Sequence, residues 1–379
     1  MAAKKKDQES ERRERLAAIA KVADRFSGFK PAGEVLTKVR AVPTNFVQLN
    51  VATRVGGWPI ERIGLVHGPS GYGKTSFALG LGLSFLERGH FFAYVDAEYT
   101  TPQTWLSQLM AEQAINPAFV AKRPKTYEET RDSVKQFAET IGQAKDKGDL
   151  DSETTALIVV DSLRKLVPNR MAEALEKEAE KVGLDGMRGM GGAYRAALNS
   201  AWFDELIPLL FHTGTALVVV ARERKKMNAQ PFETQYEIGG GESVIYDSSL
   251  ICRITREFVK EGEEITGERH LVRISKSKVG GRDGKYTDAH FSTSLGITSP
   301  AGFDRARDVL EMALSCGVVE KKAGKHWVTT DAGPLGAGEV FGNSEAEALK
   351  YMRANPAANQ AIEEQATAKF NPPEGEEAA

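Results

Sequence analysis

Residues 68–75 read GPSGYGKT and match G-x-x-x-x-G-K-[ST]. The run before them, IERIGLVHG, predicts a strand, and the run after them, KTSFALGLGLSFLERG, predicts a helix closed by Gly89. A strand, a glycine loop and a helix in that order leave few folds open. Gly68, Gly71 and Gly73 let backbone N–H groups curl around phosphates without Cβ clashes. The loop from Gly68 through Pro69, Ser70, Gly71, Tyr72 and Gly73 to Lys74, Thr75 and Ser76 is therefore the candidate nucleotide-binding segment. Lys74 is expected on the β- and γ-phosphates and the Thr75 hydroxyl on a metal, so ATP and Mg²⁺ are the expected ligands. The N-terminus of the following helix adds a field that favours anions.

The pattern repeats along the chain. HFFAYVDAE, TALIVVDS and TALVVVARE read as further strands. A helix begins at TYEE, a capping box from Thr126 to Glu129, with Val134, Phe137 and Ile141 on one face. Apolar runs with little alternation, separated by helices, predict an α/β fold with a parallel sheet covered on both faces. SSLICRITREF and ERHLVRISKSK, joined by KEGEEITG, predict an antiparallel hairpin. Residues 10–26 predict a helix with Leu16, Ile19, Ala23 and Phe26 on one face, too short to stand alone in water. The expected organisation is an N-terminal segment over 1–40 whose helix packs on its own core or on a neighbouring subunit, a core over 41–298, a small α+β domain over 299–371 and a disordered acidic tail over 372–379.

Composition narrows the class. With 41% hydrophobic and 27% charged residues the chain reads as soluble and globular, and no apolar run is long enough to span a bilayer. The charged N-terminus lacks the apolar core of a secretory signal, so the expected location is cytoplasmic, with no membrane partner. Cys252 and Cys316 are far apart and read as reduced, buried residues, and the histidines show no metal-ligand spacing. A net charge of −2 excludes a uniformly basic nucleic-acid binder. The charge is unevenly spread, with roughly five excess positive charges in the first forty residues and roughly five excess negative ones in the last eighty.

Two further strand ends carry acids. Asp161 closes LIVVDS, where a carboxylate can hold magnesium directly or through water. YVDAEY supplies Glu98, which could activate the attacking water, with Asp96 as competitor. Two residues apart on one strand, the two share a face, so spacing does not choose between them. Their strand is expected beside the phosphate-loop strand or one removed from it.

GGWPIERIGLVHGPSGYGKTSFAL, YVDAEY, LIVVDS, VVVARERKKMN followed by GGGESVIY, and ISKSK occur in this order and spacing, and the chain resembles the RecA recombinase family over nearly its whole length. The resemblance implies a RecA-type P-loop core with an N-terminal helix-strand element for oligomerisation and a C-terminal α+β lid. It implies a DNA-dependent ATPase that forms helical filaments on single-stranded DNA and exchanges strands with homologous duplex DNA in recombinational repair. Loading and single-strand-binding proteins are candidate partners. The family's water-activating glutamate falls on Glu98. Its paired lysines, which reach a neighbour's nucleotide, fall on Lys276 and Lys278, and the i, i+2 spacing puts both amines on one strand face; a solvated edge strand is the competing reading. The family's adenine aromatic falls on Trp105, with Tyr99 as alternative and an ordinary core role equally open for Trp105.

The resemblance also accounts for the polar segment ARERKKMNAQPFETQYEIGGG, which occupies the place of a DNA-binding loop. Arg224, Lys225 and Lys226 would meet phosphates, Phe232 or Tyr236 would stack on bases, and Gly239, Gly240 and Gly241 would let the backbone approach. The earlier loop matches the family's other DNA loop, with Arg170, Met187, Arg188 and Met190 as contacts. There is one departure. The family commonly has a γ-phosphate-sensing glutamine where this chain has Arg222. Arginine can bind phosphate bidentately, act as a catalytic cation, or point to DNA. The chain reads as a diverged member, and a ring helicase or a non-hydrolysing nucleotide-clamped mediator are the rival functions.

Overall fold

The computed structural model describes residues 2–23, 38–163, 167–169, 190–225, 236–261, 264–280, 290–296 and 304–370. Met1–Val39 and Arg40–Ala379 form separate compact units. The first holds helix α1 (Ala2–Ala23), which begins well before residue 10 because AAKKKDQESERRER is made almost entirely of good helix formers. Leu16, Ile19 and Val22 of α1 are each more than half exposed. Phe26, expected on the same face, lies outside the described residues.

In the second unit a short ladder pairs β1 (Ala41–Val42) with β2 (Trp58–Pro59), flanking helix α2 (Val47–Ala52). The strand-loop-helix that opened the sequence is β3 (Ile63–Gly68) and α3 (Lys74–Leu86). Then follow β4 (Phe91–Asp96), α4 (Gln103–Met110), β5 (Phe119–Lys122), α5 (Tyr127–Asp146), β6 (Ala156–Asp161), α6 (Met190–Thr213) and β7 (Thr215–Lys225). The capping box at α5 forms as expected on one side, with Thr126 Oγ1 accepting from Glu129 N at 3.2 Å. The glutamate carboxylate accepts instead from the Lys125 backbone N–H at 2.8 Å. Next come β8 (Tyr236–Ile238), α7 (Glu242–Asp247), β9 (Leu250–Glu261), β10 (Glu264–Ser277) and β11 (His290–Gly296).

The central sheet runs β11-β10-β9-β3-β7-β6-β4-β5, with β8 paired to β7 off this path. The strands from β9 to β5 are parallel, and β10 and β11 continue antiparallel. The architecture is α/β with a large, mostly parallel sheet, as the apolar runs predict. Both faces are buried. Val66, Leu157, Val159, Val218 and Val220 pack towards α3, while Leu65, Ile158, Val160, Leu217 and Val219 pack towards α5 and α6. This alternation of two apolar faces is why the strands show no polar side in sequence. One expectation is corrected: β4 is neither beside β3 nor one removed, because both β7 and β6 lie between them.

The C-terminal part contains α8 (Arg305–Ser315), the three-stranded sheet β12 (Val319–Lys322), β13 (Lys325–Val328) and β14 (Val340–Gly342), then α9 (Glu345–Ala354) and α10 (Pro356–Phe370). Val309, Leu310, Phe341, Leu349 and Ile362 share a core with Val47 of α2. The acidic tail falls outside the described residues. Among the described residues no helix is long and apolar enough to cross a membrane.

Candidate active site

The C-terminal ends of β3, β6 and β7 and the turn after β4 open on one cleft of about 390 Å³. Parallel strands present their loops at the same sheet edge, so residues remote in sequence converge there. Ser70, Gly71, Gly73, Lys74, Thr75 and Ser76 line it from the glycine loop, and Glu98, Thr100, Asp161, Arg222 and His270 complete it. The backbone is left-handed at Gly73 (φ +82°), and a Cβ there would lie 2.3 Å from the His270 ring. Only glycine satisfies both demands. Gly68 meets a second close approach, since a Cβ would sit 2.3 Å from the Ile254 carbonyl oxygen of β9.

Thr75 Oγ1 donates to Asp161 Oδ2 at 2.5 Å, so the hydroxyl and the carboxylate expected to share a metal are in contact. Burial pushes the Asp161 carboxyl up to about 6, against the Thr75 bond, and the nearby Glu98 charge adds to the rise. Lys74 is 8% exposed and donates from Nζ to the Pro69 carbonyl at 2.6 Å. Burial draws its pKa down while Asp161 opposes the fall. A hydroxyl, a carboxylate and a lysine around a glycine loop are the donor set that a magnesium nucleotide requires: hard oxygens for the cation and a positive charge for the phosphates.

The structure separates the two competing acids. Glu98 lies past the end of β4, so it does not share a strand face with Asp96. Its Oε1 accepts from Ser162 Oγ at 2.8 Å and its Oε2 pairs with Arg222 Nη2. Asp96 turns away from the cleft. It accepts from the backbone of Thr100 and Thr101, each at 3.3 Å, and pairs with Arg123 Nε at 3.0 Å. Arg222 stands level with Gly68 across the β3–β7 ladder, which fixes it beside the glycine loop.

β7 continues through Lys225, farther than its apolar run suggests, because Glu223, Arg224 and Lys225 pair with Ile238, Glu237 and Tyr236 of β8. Arg224 is exposed. Tyr236 is half-buried, with the Arg253 guanidinium 4.5 Å above its ring and the His67 ring at 5.8 Å. Gly239 N donates to the Arg222 carbonyl at 3.1 Å, and the Gly240 carbonyl accepts from Asn199 Nδ2 at 2.7 Å. At Gly241 a Cβ would lie 2.7 Å from Ala196 Cβ, so these glycines serve packing against α6. Met190 opens α6. Arg170, Met187, Arg188, Lys226 and Phe232 lie outside the described residues.

Lys276 lies in β10 and Lys278 just past its end, so the two do not share a strand face, but their amines reach one patch. Both amines cap the C-terminal carbonyls of α7: Lys276 Nζ donates to Ile245 and Tyr246, and Lys278 Nζ to Tyr246 at 2.8 Å. Neither lines the cleft of its own chain. Trp105 is half-buried against the apolar core on the α3 side, and Tyr99 donates from its hydroxyl to the Pro124 carbonyl at 2.6 Å.

Sequence reasoning missed Thr100 and His270 in the cleft, Ser162 as the partner of Glu98, and a buried cluster behind the cleft. In that cluster Glu223 Oε1 lies 2.9 Å from His67 Nδ1, and both its oxygens accept from Arg253, at 2.7 and 3.1 Å. Only His270 left a signal. The alternation His270, Val272, Ile274 puts it on the inward face of β10.

Residues 13–292 match the model of the RecA N-terminal domain. The Protein RecA of Bifidobacterium breve is 27% identical over 356 residues, covering 94% of this chain and 80% of the relative. That of Saccharopolyspora erythraea is also 27% identical over 356 residues, covering 94% and 91%. That of Corynebacterium urealyticum is 25% identical over 320 residues, covering 84% and 75%. The family match extends far beyond the phosphate loop that many nucleotide-binding proteins share, and the chain belongs to the RecA family.

Proposed function

We propose that the protein is a DNA-dependent ATPase that assembles as a helical filament on single-stranded DNA and exchanges that strand with homologous duplex DNA. The observation that carries the reading is the cleft itself. Thr75 with Asp161 and Glu98 with Arg222 meet there, and β7 leads out of it into the β7–β8 ladder. Membership of the RecA family supports the same reading.

In this proposal the loop from Gly68 to Ser76 holds the phosphates of ATP, and Lys74 neutralises charge on them. Thr75 and Asp161 would hold Mg²⁺, which when bound withdraws electron density from the phosphate oxygens. Glu98 takes a proton from water as the water oxygen bonds to the γ-phosphorus; the bond from phosphorus to the bridging oxygen breaks, and ADP carries that electron pair away. Arg222, on the neighbouring strand, faces the γ-phosphate in place of an amide and supplies positive charge in cis. Lys276 and Lys278 would add positive charge from the adjacent protomer, exchanging the α7 carbonyls for a phosphate. Trp105 or Tyr99 would meet the adenine.

Arg224, Lys225, Lys226, Phe232 and Tyr236, with Gly239 to Gly241, form the proposed later DNA segment, and Arg170, Met187, Arg188 and Met190 the earlier one. If each protomer neutralises about three phosphates, log affinity for a single strand falls with log salt at a slope near −2 per protomer. The apolar residues of α1 would dock on a neighbouring protomer, and a heterologous contact that does not close propagates a filament.

The test is strand exchange with ATP, with ADP and without nucleotide, alongside ATP turnover with and without single-stranded DNA. Exchange is expected with ATP alone, and Glu98→Gln should cut kcat by about a hundredfold while leaving KM nearly unchanged. Closed rings that unwind duplex without pairing it, or a parent protein that never turns over ATP, would overturn the reading.

A further inference from the structure

His270 reaches the cleft from the far side of the sheet path, across β9 from β3. It is 4% exposed. Its Nδ1 lies 3.1 Å from the Tyr72 carbonyl oxygen. A carbonyl can only accept, so Nδ1 carries the proton and donates, and this fixes the tautomer. The same ring occupies the space that a side chain on Gly73 would need. The cross-strand partner of His270 is Arg256 of β9, whose guanidinium stands 5.2 Å above the Tyr72 ring. Two consecutive residues of the glycine loop are thus braced from one β-hairpin: Tyr72 by its carbonyl and its ring, Gly73 by contact with the imidazole.

We propose that His270 is a positioning residue for the nucleotide: its bond to the Tyr72 carbonyl and its contact with Gly73 hold the glycine loop in the conformation that receives the β- and γ-phosphates. A glycine-rich loop has more backbone freedom to lose than any other segment. A ligand that must order it loses that entropy from its affinity, whereas a braced loop has been ordered by folding. The peptide between Tyr72 and Gly73 is held by its carbonyl, so its N–H, on Gly73, is oriented as well. That N–H belongs to the loop that cradles phosphate. Arg256 assists through the Tyr72 ring and does not line the cleft.

The inference rests on the nucleotide reading of the cleft, and the experiment separates the two. Equilibrium binding of Mg-ATP, Mg-ADP and AMP is measured for the parent, His270→Ala and His270→Asn, with kcat at saturating ATP and thermal unfolding of each. His270→Ala should weaken ATP and ADP by about fivefold, the equivalent of one net hydrogen bond, with AMP affinity and kcat changed less than about twofold. His270→Asn keeps a donor of similar reach and should recover most of the loss. Equal ATP affinity in parent and His270→Ala, an asparagine variant no better than alanine, or a loss shared equally by AMP, would each overturn the positioning role. Should His270→Ala fail to fold, His270→Phe, which fills the place of the ring but has no donor, decides it together with Arg256→Gln. Both must weaken ATP and ADP more than AMP, or the proposal falls. A parent that binds none of the three nucleotides would instead refute the reading of the cleft.

Discussion

Asp308 offers a stability test whose size can be worked from the structure. It sits in the first turn of α8, 2% exposed. Gln48 of α2 donates from Nε2 to Oδ1 at 2.6 Å and from its backbone N to Oδ2 at 3.3 Å. Burial outweighs these bonds and raises the carboxyl from its ordinary 3.8 to about 8. The folded protein therefore binds this proton more tightly than the unfolded chain does. The stabilisation is complete below about pH 4 and drains away as pH rises towards 8, at about 1.4 kcal/mol per pH unit. The full swing is about 6 kcal/mol. Asp308→Asn cannot ionise. It keeps the Oδ1 acceptor for Gln48 Nε2 and loses the weaker bond to the Gln48 backbone, a cost of about 1 kcal/mol. The variant should be slightly less stable than the parent near pH 4 and about 5 kcal/mol more stable near pH 9. Urea titrations between those limits would show the curves crossing, read by far-UV circular dichroism and by tryptophan fluorescence. A parent-minus-variant difference that stays flat across the range would refute the buried, protonated carboxyl.

Two other perturbations test the cleft and its support. Glu98 is 11% exposed and Arg222 37%, so their pair is screened on one side. Arg222→Ala should cost about 1 kcal/mol of stability in the parent and close to nothing in a Glu98→Gln background, and equal costs in both would mean the pair is not coupled. Burial alone would raise the Glu223 carboxyl, but the bonds from His67 and Arg253 override it and hold it at about 2. That stabilisation is present above the ordinary 4.5 and is lost as pH falls towards 2. Glu223→Gln should therefore lose stability at pH 6 yet show a shallower acid limb than the parent, and a parallel limb would refute the assignment.

The sheet core was legible because each strand is a continuous apolar run with both faces buried, and the hairpin β9–β10 because its strands are long and its connector polar. The order of the strands was not. Nothing in YVDAEY says that β6 and β7 insert between β4 and β3, since that order is set by crossovers and not by any local pattern. Helix α10 escaped notice for a different reason. Its buried residues are Ala358, Ile362 and Ala366, and alanines at a four-residue spacing carry little hydrophobic signal. The expected strand TALVVVARE ends at Glu223, and nothing local marks that charged residue as buried, yet its side chain is 5% exposed. A buried charge is recognisable only through its partners, and His67 and Arg253 are remote in sequence.

β7 joins these observations. Arg222 and Glu223 are consecutive, so on a strand they point to opposite faces. Arg222 meets Glu98 at the cleft, while Glu223 is held by His67, the residue before Gly68, and by Arg253 of β9. The backbone of β7 at this level is thus tied to β3, to β9 beyond it and to the base of the glycine loop. Moving Arg222 by shifting the strand would tear Glu223 from two partners and leave a buried charge exposed to no compensation, a cost of several kcal/mol. Rotating the Arg222 side chain disturbs neither. If phosphate draws Arg222 from Glu98, the change must begin as rotation of the Arg222 side chain, and not as displacement of the strand, whose backbone is held at the same residue by the bond from Gly239 N. The immobile half of the strand is what makes the mobile half specific, because a single side chain is left to choose between a carboxylate and a phosphate.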